Sequence, residues 1–179
     1  WPLISTLDGV VVFGQPDGAH RIFPCNDHPS DPASFTIHLD VPTGTTAVAN
    51  GVLTTNTTTA GRTIWTYEQR QPMATELIQL AVGDFEVTTT EAEGETPQRD
   101  VIPRTLSKEF HRVIEATHGH MEWLEGRLGP YPFDIYGSLI VNAGFHCALE
   151  TQTLTLYDAS SFSRPETTWK PLMVHELTH

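Results

Sequence analysis

The last five residues, His175-Glu176-Leu177-Thr178-His179, carry the most specific chemistry in the chain. Residues four apart on a helix lie one turn apart on the same face, so His175 and His179 can offer two imidazole nitrogens to one metal ion. Glu176 sits about 100° round from His175 by helix geometry. From there it can reach a water beside that ion without being a ligand itself. Two neutral imidazoles on zinc, with a glutamate to take the water's proton, suit peptide hydrolysis. The chain holds nine histidines, so the pattern needs support from the elements around it.

Those elements change character along the chain. Residues 10–13, 35–41, 46–50, 63–68, 76–82 and 85–89 read as short strands, and 35–41 alternates apolar and polar as a half-buried strand does. Residues 54–61 (TTNTTTAG) read as a polar hairpin loop, and 91–104 as an acidic linker or exposed loop. A helix is expected over 105–128, capped by Thr105 or Ser107, with an apolar face of Phe110, Val113, Ile114, Thr117, Met121, Leu124 and Leu128. Its histidines His111, His118 and His120 read as surface or packing residues. Strands follow at 138–142 and 154–157. A last helix is capped by Thr167 or Thr168, with Pro171 in its first turn and Leu172, Met173 and Leu177 on its apolar face. The expected class is α+β: an antiparallel sandwich or saddle over residues 1–100, then a second unit over 104–179.

Composition removes other classes. A net charge of −12, from 22 acidic and 10 basic residues, leaves no basic patch for a nucleic acid. No apolar run spans a membrane and no signal-peptide pattern is present, and the compartment stays open. Cys25 and Cys147 do not make a disulfide framework, although they could pair. Cys25 and His28, in the turn-rich stretch 23–31, read as loop residues rather than ligands. The chain starts at Trp1 and stops at His179 in mid-helix with no C-cap, which reads as an internal piece of a longer protein.

With these stretches in place the chain resembles the aminopeptidase N family of zinc gluzincins. Residues 23–31 and Ala49-Asn50-Gly51 look like the end of that family's N-terminal β domain. Leu128-Gly129-Pro130-Tyr131-Pro132-Phe133 looks like its lead into a thermolysin-like catalytic domain. Ala148-Leu149-Glu150 sits where the family has Gly-x-Met-Glu-Asn, and residues 175–179 match its zinc helix. Leu149 stands in place of Met, Thr151 in place of Asn and Cys147 in place of Gly.

The resemblance implies one zinc ion on His175 and His179, with Glu176 as general base and a third, glutamate ligand beyond the chain. It implies that Glu150 holds the free amine of a peptide substrate and that the backbone of Cys147, Ala148 and Leu149 pairs with the peptide. Gln15 would be lent to the substrate pocket by the N-terminal part. A metallo-endopeptidase would have no reason for the carboxylate at 150, and a non-catalytic binding module no need of Glu176. Residues 1–179 alone are expected to be inactive, since they bring only two of three ligands.

Overall fold

The computed structural model describes residues 2–179, leaving aside the side chains of Ser107 and Glu109; Trp1 lies outside it. Twelve strands are described: β1 Leu3–Ser5, β2 Gly9–Val12, β3 Ala33–Pro42, β4 Thr46–Ala49, β5 Val52–Thr59, β6 Arg62–Met73, β7 Leu80–Gly83, β8 Phe85–Thr90, β9 Gln98–Pro103, β10 Ser138–Val141, β11 Ala148–Leu149 and β12 Thr155–Asp158. The two α-helices are α1, Ser107–Leu128, and α2, Glu166–Thr178.

The strands form three sheets. Two are antiparallel, in the orders β1-β2-β7-β4 and β3-β6-β5. In β3 the apolar Phe35, Ile37, Leu39 and Val41 are the more buried set and the residues between them are exposed, as the alternation predicts. The third sheet, β11-β12-β10-β9-β8, is mixed: β9, β10 and β12 run parallel and the two outer strands antiparallel.

Four local readings are corrected. Residues 54–61 are not a loop: β5 runs to Thr59, and only Ala60 and Gly61, both at positive φ, make the turn into β6. Two central residues with φ > 0 match the right-handed strand twist, and a run of exposed threonines is β-branched without being apolar. Residues 76–82 are not one strand, since Thr75–Leu77 is a 3-10 turn and β7 starts at Leu80. In the supposed linker, residues 98–103 are β9, buried along its whole length between β8 and β10. Leu128 is 70% exposed, outside the buried face of α1.

The helix caps differ as well. Thr105 donates its hydroxyl to Asp8 at 2.8 Å, and the N-cap of α1 is Leu106, which gives no side-chain cap. α2 begins two residues before Thr168, at Glu166, with the Pro165 carbonyl accepting from the Thr168 and Trp169 amides. Pro171 therefore lies inside the helix, beyond its first turn.

The core explains why these elements hold one another. Val11, Val48 and Ala81 of the first sheet, Tyr67 of the second, and Val101, Leu139 and Leu156 of the third pack in a single cluster. On the far face of the third sheet, Phe110, Val113 and Ile114 of α1 meet Ile140, Tyr157, Phe162 and, from α2, Trp169 and Met173. Met121 and Leu124 of α1 close on Leu177. Each such buried side chain removes enough apolar surface from water to favour the fold by about 1.5–3 kcal/mol. α2 is thereby fixed along its length, which orients the residues between its anchors.

Arg99 ties the first and third sheets by polar contacts. It is fully buried, donates to the carbonyls of Gly51 (2.8 Å) and Ala49 (2.7 Å), and lies over the Tyr67 ring at 5.1 Å.

Candidate active site

Trp169, Met173 and Leu177 recur every four residues and bury one face of α2. That anchoring turns His175 and His179 to the exposed side, one turn apart. Their Nε2 atoms lie 3.3 Å apart. Two ligands of a tetrahedral zinc at bond lengths of about 2.0–2.1 Å are separated by about 3.3–3.4 Å, so the pair fits a shared metal ion. Among the described residues no group of three or more His, Cys, Asp or Glu side chains could hold a metal.

Glu176 lies between the two histidines in sequence but is 8% exposed, with its Oε2 atom buried and unpartnered. Burial, helped by the nearby Glu150 charge, pushes its carboxyl above the ordinary range, against the pull of His175 and His179.

β11 brings the second set. It pairs with β12 through Ala148↔Tyr157 and Leu149↔Leu156 and lies at the sheet edge, its other side unpaired among the described strands. The carbonyl of Cys147 accepts from the Asp158 amide at 3.1 Å. The Leu149 side chain is in the core, so only its backbone faces an incoming chain.

Glu150 follows directly, and Gln15 donates from Nε2 to its Oε1 at 2.8 Å, across 135 residues of sequence. Glu150, Glu176 and His179 share the wall of one cavity of about 260 Å³ with Glu76, Tyr131 and Phe133. A second cavity, of about 400 Å³, opens on the His175 side of α2 and is lined by Cys147 and Ala148, with Glu176 common to both. Cys25 and Cys147 are both free thiols.

The chain is similar to known proteins over most of its length. Residues 10–77 match the Peptidase M1 N-terminal domain. A crystal structure of an M1 zinc metallopeptidase from Deinococcus radiodurans superimposes with a TM-score of 0.83 at 32% identity, over 98% of this chain and 40% of that one. The chain is thus similar to M1 zinc metallopeptidases along nearly all of its length, and residues 10–77 match the N-terminal domain of that family.

Leucyl aminopeptidase of Saccharolobus solfataricus is 27% identical over 98% of this chain, and Aminopeptidase M1 of Arabidopsis thaliana is 35% identical over 40% of it. The chain spans 23% of the length of the first and 8% of the second. A variant of the Deinococcus enzyme bound to a Tyr-Ser-Ala substrate superimposes with a TM-score of 0.72 at 30% identity, over 93% of this chain and 39% of that one.

The residues that hold the loop after Glu150 come from far away in sequence. Asn50 donates to the carbonyls of Gln152 and Leu77 and accepts from the Gln79 amide. Thr153, at φ 63°, accepts from the Gly51 amide at 2.8 Å and donates to Gln69 at 3.1 Å. The Asn50-Gly51 pair is visible as a turn signal, but nothing local in the sequence says which loop it grips.

Proposed function

We propose that this chain is part of a zinc aminopeptidase, and that the protein carrying it removes the N-terminal residue of peptides with a free α-amine. The observation that carries the reading is the cavity in which Glu150, Glu176 and His179 meet. There an anion for a substrate ammonium, a proton acceptor and a metal ligand share one wall. In this reading residues 1–100 are an N-terminal β domain and residues 104–179 begin a thermolysin-like catalytic domain.

His175 and His179 would hold a zinc ion through their Nε2 atoms, and the reading needs a third, carboxylate ligand that the described residues do not supply. A zinc ion there supplies the positive charge that acidifies water and polarises a peptide carbonyl. Glu176 accepts the proton from water. Its burial makes it a stronger base than a solvated carboxylate, and Glu176 lines both cavities beside the histidines. Glu150 takes the substrate's ammonium in a charge-assisted hydrogen bond, while the Gln15 amide holds its Oε1 in place. The open edge of β11, through Cys147, Ala148 and Leu149, pairs with the peptide in extended form. The similar Deinococcus enzyme is bound to a Tyr-Ser-Ala substrate, which supports a short peptide as the ligand.

The test is Glu176→Gln in the intact protein. Zinc content stays near wild type because both imidazoles remain, while kcat falls by about 10² to 10⁴-fold or more. A variant that kept kcat within a few-fold of wild type would remove Glu176 from this role. Residues 1–179 expressed alone should bind zinc weakly and show no turnover, with only two ligands on one helix.

A further inference from the structure

The cavity at Glu150 is walled by a third carboxylate, Glu76, besides Glu150 and Glu176. Glu150 is held by Gln15, and Glu176 is assigned to the water. Glu76 is half-buried, and its carboxylate has no ion-pair or hydrogen-bond partner among the described residues. None of the described residues that line this cavity is a lysine or an arginine. Two contacts place Glu76 beside Glu150. A Cβ on Gly14 would lie 3.5 Å from the Glu76 carbonyl oxygen, and the next residue, Gln15, reaches Glu150. On the other flank the Asn50 amide donates to the carbonyl of Leu77, at 3.1 Å, and to that of Gln152. One side chain therefore ties the 3-10 turn Thr75–Leu77 to the loop that follows Glu150. Tyr131 and Phe133, edge to face at 5.4 Å, supply an aromatic part of the same wall.

The way a peptide is held decides what meets Glu76. This step rests on the aminopeptidase reading. With the ammonium at Glu150 and the chain paired to β11, the later residues pass Ala148 and Cys147, which line the other cavity. The side chain of the first residue is left to the cavity of Glu76. A carboxylate in such a recess attracts a cation more strongly than one in open water. An apolar side chain there would strip water from Glu76 and leave it unpaired, which costs free energy. Aromatic rings beside it can cover a methylene stem and the face of a guanidinium.

We propose that Glu76 makes this site select peptides whose first residue is lysine or arginine. The substrate then carries two cations: its α-ammonium pairs with Glu150, and its side-chain charge pairs with Glu76 in a charge-assisted hydrogen bond. Tyr131 and Phe133 cover the stem between them. A first residue with an acidic side chain meets three carboxylates and is refused.

The experiment measures kcat/KM of the intact zinc-loaded protein and its Glu76→Gln and Glu76→Asp variants on lysyl, norleucyl, arginyl and citrullyl anilides. Norleucine keeps the stem of lysine without its ammonium, and citrulline has the shape of arginine without its charge. Glu76 is only half-buried and glutamine has its shape, so the variant should fold. The wild type should favour each cation over its neutral counterpart by about tenfold or more, as a hydrogen bond between charged groups allows. In Glu76→Gln both ratios should fall to about one, and Glu76→Asp, which returns the charge, should restore part of them. Ratios near one in the wild type, or ratios that survive in Glu76→Gln, overturn the proposal, and so does a variant that slows all four substrates equally. If the neutral anilides are still cleaved in those cases, the aminopeptidase reading stands alone. If none of the four is cleaved by the wild type, both readings fall.

Discussion

Asp100 gives the sharpest stability prediction because its burial and its one strong partner are both defined. It lies on β9 at 1% exposure. The Ser138 amide donates to its Oδ1 at 3.1 Å, and its Oδ2 has no partner. Burial pushes its carboxyl up to about 7 from 3.8, against the pull of that hydrogen bond and of Arg99.

A carboxyl raised in the folded state contributes stability that is fully present below pH 3.8 and lost as pH rises toward 7. In that window the folded chain binds a proton the unfolded chain has released. The interval from 3.8 to about 7 is roughly 3 pH units. At about 1.4 kcal/mol per unit this amounts to ~4 kcal/mol, a large part of the 5–15 kcal/mol that holds an ordinary domain.

Asp100→Asn keeps an oxygen for Ser138 and removes the titration. Urea unfolding of both proteins at pH 4, 5, 6, 7 and 8 isolates the effect, because every other titrating group cancels in the difference. The variant should gain on the wild type by ~4 kcal/mol between pH 4 and pH 8. Two parallel stability curves over that range would refute the argument that burial controls this carboxyl.

Two further substitutions test the joints between the sheets. Arg99→Met removes two charge-assisted hydrogen bonds, worth about 1.5–3 kcal/mol each, against the recovered cost of burying a cation. Unfolding free energy should fall by about 2–4 kcal/mol, and a fall below about 0.5 kcal/mol would mean that Arg99 does not join the sheets. Gly51→Ala puts a Cβ about 2.1 Å from the Glu68 carbonyl oxygen at φ +79°. Neither backbone can yield cheaply, so circular dichroism and unfolding should show a loss of at least about 3 kcal/mol or no folded protein, and near-native stability would contradict the close approach.

The local parts of this molecule were legible in the sequence and the long-range ones were not. Period-two alternation identified β3, and the three- and four-residue spacing of Phe110 to Leu124 identified α1, because each pattern is written within one element. The spacing of His175 and His179 needed only a helix to bring their nitrogens together. By contrast β5 is nearly all exposed, mostly threonine, and gives no hydrophobic signal. β9 hides a buried Arg99 and Asp100 behind a charged composition that resembles a linker. The parallel pairing of β9, β10 and β12 depends on a crossover no local window contains. Gln15 was linked to a substrate pocket only through the family resemblance, and its contact with Glu150 was not foreseen, since no physical rule pairs two residues so far apart.

The central claim is that one cavity holds a peptide by its free amine and cuts beside it. The most direct measurement is the ratio of kcat/KM for a leucyl anilide to that for its N-acetylated form, in the intact zinc-loaded protein and in Glu150→Gln. The account predicts rapid release from the free amine, at least about 10²-fold slower release from the acetylated substrate, and a ratio that collapses in the variant as the ammonium loses its charged partner. Equal rates on the free and acetylated anilides in the wild type would contradict it and assign the site to cleavage within chains.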